Sequence, residues 1–374
     1  MRKRAQIKSK PAHVEPKHTS VKKTPKYEET TKKPLVKNWW VAVILVGIFF
    51  TVLFYNTYYN ASSGIAMEGS FDDYGKYLLS GPDPYYNMRI VQETSETGVY
   101  QFYSEQDDLL NYPIGRSGSR APLLNMMALG FSNFLKPVMS EVDAIGYSMQ
   151  FIPALFGALL IIAVYFLGKT LFNKKVGLIA AFMLAIIPIH IGSGHGSAYS
   201  LFDHDSLNLL LFFTTFLFII YGLKEKDKTK SMMYSVLAGV SLGALSMVWV
   251  EARFLYVLIA GYAIVQYILD IFTDKIEKIS FRTISITLLT GYLISLPVVA
   301  SRYSGFSFDL TFFMVMGLIG FGALYYLLGN KKIPWTLSLP FIFIIALSAL
   351  TIVYFAYVLQ VTLPVLSGIR GLGQ

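Results

Sequence analysis

Nine apolar segments, each about long enough to cross a bilayer as a helix, decide what this chain can fold into. An α-helix rises 1.5 Å per residue, so about 20 apolar residues span the roughly 30 Å hydrocarbon layer. Segments of that kind fall near residues 39–58, 144–167, 176–191, 206–221, 232–250, 254–272, 284–300, 310–328 and 335–357. In lipid every backbone N–H and C=O must find a partner within the chain, which makes such runs helical. The expected fold class is an all-α membrane protein, a polytopic helical bundle of about nine transmembrane helices. Residues 121–136 are more weakly apolar and are interrupted by Asn125, Ser132 and Asn133, which predicts an interfacial helix rather than a span. The balance of 54% hydrophobic to 15% charged residues excludes an ordinary soluble domain, in which about 25% are charged. Cysteine is absent, so disulfides and thiolate chemistry are excluded as well.

The formal charge of +9 is unevenly spread. Residues 1–37 hold twelve Lys or Arg among Pro, Thr and Ser, with little apolar content. They read as part of a disordered basic tail, residues 1–38, ahead of a polytopic domain, residues 39–374. Such a tail can meet anionic lipid or RNA. The reading taken is a topogenic cytoplasmic tail with no nucleic-acid partner. Alternating spans sort the loops into two sets. The tail, Lys169/Lys174/Lys175, Lys224/Lys226/Lys228/Lys230, Lys275/Lys278/Arg282 and Lys331/Lys332 carry 24 of the 32 basic residues. The positive-inside rule makes that set cytoplasmic. A multi-pass protein of the cell membrane with its N-terminus inside follows as the expectation.

The first external loop, residues 59–143, is the longest non-spanning region after the tail and is rich in Tyr, Gly, Asp and Asn. That suits a folded active-site loop better than a linker. It holds Gly81-Pro82-Asp83-Pro84-Tyr85-Tyr86, and Phe202-Asp203-His204-Asp205 opens the fourth span on the same external face. Carboxylates at a lipid–water boundary are costly unless something uses them, and a divalent cation is an economical user. Asp83, between two prolines, is expected in a rigid turn with its backbone extended. The alternative is an ordinary turn aspartate. Asp203 and Asp205 can reach one cation, with His204 as a third ligand. The alternative is helix capping, which needs one such residue and leaves the second acid unexplained. Oxygen ligands favour Mg²⁺ or Mn²⁺, and a histidine tilts the choice toward Mn²⁺ or Zn²⁺. His190 and His195 flank Gly192-Ser193-Gly194 just upstream, at a spacing that matches no zinc signature. Arg89, Arg116 and Arg120 lie in the long loop, where guanidinium groups suit a phosphate-bearing lipid or simply snorkel to headgroups. Glu251 and Arg253, between the fifth and sixth spans, are either a functional pair or an ion pair capping two helices.

These motifs resemble the catalytic subunit of oligosaccharyltransferases, in its archaeal form. Gly81-Pro82-Asp83-Pro84-Tyr85-Tyr86-Asn87-Met88-Arg89 looks like that family's first acidic motif. Asn111-Tyr112-Pro113-Ile114-Gly115, with Ala121-Pro122-Leu123 downstream, is similar to its Tyr-Pro-x-Gly stretch, and Phe202-Asp203-His204-Asp205 to its second acidic motif. The resemblance implies a lipid-dependent (GT-C type) glycosyltransferase architecture. It implies transfer of an oligosaccharide from a polyisoprenyl phosphate or diphosphate to asparagine in Asn-x-Ser/Thr sequons, with inversion. The partners would be the lipid-linked oligosaccharide, an acceptor polypeptide and membrane lipids, and the cofactor Mn²⁺ or Mg²⁺. Asp83, Asp203 and Asp205 would be catalytic metal ligands with His204 beside them. Arg89, Arg116, Arg302 and His195 would face the lipid phosphate.

Two departures stand out. Gly196, next to His195, occupies the position where the family has an Arg seven residues before its second motif. The sequence also reaches Gln374 where the family's fifth external loop, with a catalytic Glu, begins. Past that loop the family has further spans and a soluble domain with a Trp-Trp-Asp motif, which Trp39, Trp40, Trp249 and Trp335 do not form. The resemblance thus implies the N-terminal part of a site, in a fragment, a split subunit completed by a separate chain, or a reduced homologue. Another polyprenyl-phosphate-sugar transferase, such as a protein O-mannosyltransferase, is the second enzymatic reading. A membrane transporter or scaffold is the non-enzymatic one.

Overall fold

The computed structural model describes residues 38–59, 79, 82–98, 106–107, 109, 113–117, 121–187, 201–273, 275–302 and 310–362. The chain falls into two compact units, Met1–Asn38 and Trp39–Gln374. Apart from Asn38, the expected basic tail lies outside the described residues.

The described residues are almost wholly helical. In chain order they form α1 (Asn38–Phe54), α2 (Pro82–Thr97), α3 (Leu123–Leu135), α4 (Glu141–Leu171), α5 (Lys174–Ala185), α6 (Asp205–Lys224), α7 (Lys228–Ser246), α8 (Arg253–Thr273), α9 (Lys278–Arg302), α10 (Leu310–Asn330) and α11 (Trp335–Thr362). A two-residue hairpin, β1 (Gln106–Asp107) against β2 (Arg116–Ser117), is the one sheet among the described residues.

Each of the nine expected spans coincides with a helix, but six helices among the described residues are long and apolar enough to cross a membrane. These six make the chain a multi-pass membrane protein. Two of the other three fall short for visible reasons. α5 has only 12 residues and ends at Ala185, ahead of Pro188, a residue that disfavours helix in what precedes it. The expected span 176–191 ran through that proline. α7 has a mixed composition because its two faces do different work. Met232, Met233, Val236, Leu237 and Val240 are exposed, whereas Ser231, Ser235, Gly239 and Gly243 are buried. A lipid-facing helix turns large apolar residues outward and small ones inward. α11 counts as apolar over its shorter described stretch, Trp335–Ile345. The 13-residue α3, about 20 Å long, is too short to cross, as expected for residues 121–136.

The α7–α9 contact is a seam of small residues spaced four apart. Ser231, Ser235, Gly239 and Gly243 of α7 run beside Thr283, Thr287 and Gly291 of α9. Thr287 Oγ1 donates to the carbonyl of Ser235 at 3.1 Å, so the backbones come close enough for a side chain to bond the neighbouring helix. A Cβ added at Gly239 would lie 2.5 Å from Thr290 Cβ, and one at Gly243 2.6 Å from Ile294 Cβ. Neither position can hold a larger residue without separating the helices.

The ends of the bundle follow from a few bonds. Lys224 Nζ donates to the carbonyl of Thr170 at 2.5 Å, so α4 and α6 end together and run parallel. α4 has 31 residues and α6 has 20, so α4 projects about ten residues, roughly 15 Å, beyond the start of α6. The N–H of Leu123 donates to the carbonyl of Met247 at 2.9 Å, which sets the start of α3 beside the end of α7, at the α6-start end of the bundle.

Replacing Gly243 with Leu wedges α7 from α9. Overpacking of this kind costs about 1–3 kcal/mol, so thermal unfolding in detergent should shift down by several degrees. Gly261→Leu, at a position with nothing within 4 Å of an added Cβ, should melt like the parent. Equal melting of the two variants would mean that the seam is not a tight contact.

Candidate active site

Both acidic motifs sit at helix starts. Asp83 is in the first turn of α2, not in the extended conformation expected of a residue before proline. The N-terminal position explains this. The first N–H groups of a helix have no partner within it, so Pro82 and Pro84 can occupy the first turn without breaking a bond. A carboxylate there also meets the positive end of the helix dipole. Tyr85 folds back on the motif, its hydroxyl accepting the N–H of Leu79 at 3.1 Å. Asn87 is buried and its Oδ1 accepts from Asn125 Nδ2 of α3 at 3.2 Å. At the far end of α2, Lys136 Nζ donates to Ser95 Oγ at 3.0 Å and to Glu141 Oε1 at 2.6 Å, and Ser95 also bonds Glu141. α2 therefore runs from the bundle out to the tip of the projecting α4, and Asp83 lies at its bundle end.

The second motif is fixed by Phe202, which is fully buried. Asp203 Oδ1 accepts the backbone N–H of His204 at 2.6 Å and also bonds His204 Nδ1. His204 occupies the cap position of α6 without a side-chain capping bond, and Asp205 lies in the first turn. Asp203 thus bonds both the backbone and the ring of the residue that precedes α6. His204 Nε2 points to the other acid, 3.9 Å from Asp205 Oδ1. Side-chain exposure rises from 25% at Asp203 through 35% at His204 to 45% at Asp205, so the last carboxylate is the most open to a partner.

One apolar cluster seats both motifs. Leu79 and Val91 bracket Asp83, Phe202 and Leu207 bracket the second motif, and all four pack with Met149, Ile152 and Phe156 of α4 and with Leu124 and Ala128 of α3. The structure brings the two motifs onto a common base. Among the described residues no three His, Asp or Glu side chains are grouped closely enough to hold a metal ion. The donor types, carboxylate oxygens with one imidazole whose other nitrogen is held by a carboxylate, are those that divalent cations take.

The basic candidates are placed unevenly. Arg89 pairs with Glu93 one turn on at 3.0 Å, and its guanidinium lies 5.5 Å from the Tyr86 ring centroid. Arg116 belongs to β2, opposite Asp107. Arg302 is the last residue of α9, on the side of the bundle where α6 begins. His195, with its neighbour Gly196, lies outside the described residues. Glu251 and Arg253 are both exposed, and no ion pair joins them, which sets aside the helix-capping pair.

Sequence reasoning missed the Asn87–Asn125 bridge and the Ser95–Lys136–Glu141 clamp. Asn125 was visible only as a break in an apolar run, and a buried amide among apolar neighbours was the available signal. Truncating one partner of a buried pair strands the other at a cost of about 1–3 kcal/mol. Asn87→Ala should therefore lower the melting temperature, and Asn87→Leu combined with Asn125→Leu should recover part of the loss. A double variant no better than the single one would mean that the pair does not act as a unit.

Comparison with known proteins places this geometry. Residues 66–373 match the family model described as oligosaccharyl transferase STT3, N-terminal. The dolichyl-phosphooligosaccharide-protein glycotransferase 3 of Archaeoglobus fulgidus is 27% identical over 237 residues, covering 61% of this chain and 26% of that protein. The dolichyl-diphosphooligosaccharide–protein glycosyltransferase subunit STT3A of Oryza sativa is 26% identical over 257 residues, covering 67% and 31%. The chain thus spans about a quarter to a third of the length of these relatives. The fold is that of the A. fulgidus oligosaccharyltransferase AglB in complex with an inhibitory peptide and a dolichol-phosphate, with a TM-score of 0.65 at 19% identity, covering 87% of this chain and 39% of that one. With its family model matched over most of its length, the chain belongs to the oligosaccharyl transferase STT3 family, in the N-terminal region of that family.

Proposed function

We propose that this chain carries the N-terminal membrane part of an oligosaccharyltransferase active site. It serves transfer of an oligosaccharide from a polyisoprenyl phosphate or diphosphate to the asparagine of an Asn-x-Ser/Thr sequon. The observation that supports this most is the seating of both acidic motifs on one apolar cluster, with Asp83 and Asp205 each half-exposed in the first turn of a helix. The same reading is supported by a relative named as a dolichyl-phosphooligosaccharide-protein glycotransferase and by a solved relative in complex with an inhibitory peptide and a dolichol-phosphate.

The difficulty in the reaction is the nucleophile. The lone pair of an amide nitrogen is delocalised into the carbonyl. Asp83 and Asp205 accept the amide N–H groups of the acceptor asparagine, which turns the group and frees its lone pair. The nitrogen attacks the anomeric carbon from the side opposite the lipid phosphate, the carbon–oxygen bond to the phosphate breaks, and the configuration inverts. One amide proton passes to the carboxylates and from them to solvent. Asp203 holds the His204 ring in one orientation. Arg89, Arg116 and Arg302, with His195, are the residues this reading assigns to the phosphate that leaves; a guanidinium suits that charge. Asp83, Asp203, Asp205 and His204 are the residues that would hold Mn²⁺ or Mg²⁺, and the ion would supply positive charge that offsets carboxylate repulsion.

The finer architecture belongs to the same proposal: nine spans of the GT-C type, basic loops in the cytoplasm and both acidic motifs on the external face. An impermeant reagent applied to intact cells should modify a cysteine introduced at His204 and spare one introduced at Lys226. The reverse pattern would sink the orientation and the enzymatic reading with it.

Activity is tested in membranes of the host, given a sequon peptide, the lipid-linked sugar and Mn²⁺. Asp83→Ala and Asp205→Ala should each lower transfer about 100-fold or more, the scale of a lost general-base or electrostatic group. Full transfer by either variant would remove that residue from the site.

A further inference from the structure

The side of the bundle formed by α8, α10 and α11 holds a feature that the proposed reaction does not use. A groove of about 1270 Å³ opens on the surface between α8, α10 and α11, and its lining is almost entirely apolar. That is more room than the roughly 300–1,000 Å³ of an ordinary small-molecule pocket. Its lining reaches from Trp335 to Ile345 on α11 and from Phe313 to Leu324 on α10, about 15 Å along each helix. The two helices are antiparallel across a short turn, so the lining runs from the level of Trp335 to that of Phe313, about 25 Å and most of a bilayer's hydrocarbon layer.

Glycines help to make the space. Gly317 and Gly320 of α10 line the groove, and an added Cβ at either would meet nothing within 4 Å. The frame around it is fixed. Asp270 of α8 is buried and accepts from Gln266 Nε2 at 2.6 Å and from the Tyr325 hydroxyl of α10 at 2.7 Å. The same hydroxyl accepts the N–H of Glu277 at 2.9 Å.

A charged rim lies at the Trp335 end. Trp335 is half-exposed and its ring lies 5.3 Å from that of Phe272, the position of an aromatic side chain at a membrane surface. Lys331 and Lys332 precede it in the turn from α10, both exposed and without an ion pair among the described residues. Ile276 packs over Gly329, so the α8–α9 turn, with Lys275 and Lys278, adjoins the same corner. Glu277 is the one exposed acid described there, against four lysines.

We propose that this groove binds an anionic phospholipid of the surrounding bilayer, with its acyl chains in the groove and its phosphate on Lys331 and Lys332. A neutral lipid would fill the apolar part equally well. The lysine rim selects the anionic headgroup, since basic side chains at a membrane surface attract anionic lipid. This site is independent of the transfer reaction.

The test uses the chain with Trp39, Trp40 and Trp249 replaced by Phe, which leaves Trp335 as the single tryptophan. It is reconstituted in phosphatidylcholine bilayers containing a fixed fraction of phosphatidylglycerol. Bromine quencher is carried either on the phosphatidylglycerol chains or, at equal mole fraction, on phosphatidylcholine chains. Brominated phosphatidylglycerol should quench Trp335 about 3-fold or more as effectively. Lys331→Gln with Lys332→Gln should bring the two lipids to equality. Gly317→Leu with Gly320→Leu, at positions where an added Cβ meets nothing within 4 Å, should fill the groove and remove the phosphatidylglycerol excess at unchanged helix content. Equal quenching in the parent overturns the proposal, as does an excess that survives either double variant. Protection of Trp335 from both lipids would mean that a protein segment covers the groove, and would overturn it too.

Discussion

The surplus length of α4 is the constraint on which the acidic end of the molecule depends. A helix that merely crossed the bilayer would end level with α6, and nothing would stand beyond it to carry α2 and α3. Because α4 continues about ten residues further, its face bearing Met149, Ile152 and Phe156 offers an apolar wall just where the chain leaves the bundle. Side chains of this size contribute about 1.5–3 kcal/mol each when buried. The N-terminus of α4 is secured in turn by Ser140, whose hydroxyl accepts the N–H of Asp143. The clamp of Lys136 and Ser95 on Glu141 then ties α2 to the tip.

On that base the two acidic motifs solve the same problem with different local chemistry. Each must hold carboxylates near a membrane surface and leave them available. The first uses prolines, which fit the opening turn of a helix because no hydrogen bond is lost there. The second buries Phe202 and lets Asp203 hold both donors of His204, so the imidazole has one orientation and Asp205 is the freest of the three. Helix dipoles favour negative charge at both starts. The backbone that follows each motif therefore favours the negative charge placed at its start.

The positions of the helices were legible in the sequence, because lipid forces backbone pairing into local helices and makes apolarity a nearly direct readout. The number of strong spans was less so. α7 buries serines and glycines against α9, and this lowers its apolar content without taking it out of the bundle. The motif residues could be picked out by type and spacing, and the sequence order suggested that they belong together. What could not be read was the way they meet. Asp83 beside Pro84 reads as extended, and only the start of a helix reconciles the two. The Asn87–Asn125 bridge joins residues 38 apart whose pairing depends on how α2 and α3 lie against α4. Such contacts are tertiary, and no local pattern encodes them.

The location of the acids can be argued from the lipid itself. Within the hydrocarbon layer the chain cannot leave the helix, because an unpaired N–H or C=O there costs several kcal/mol. Irregular backbone, which is what lets a carboxylate be turned toward a substrate, becomes affordable only at the boundary. Residues 201–204 are non-helical and α6 begins at Asp205, so the second motif occupies the last irregular positions before the helix closes. Asp83 stands in the equivalent place on α2. On the proposed function, a lipid-borne phosphate and a polypeptide in water would both be reached at such a boundary, and a site serving one substrate in each phase would place its acids at helix starts. The surplus length of α4 allows two helices from distant parts of the sequence to start there together.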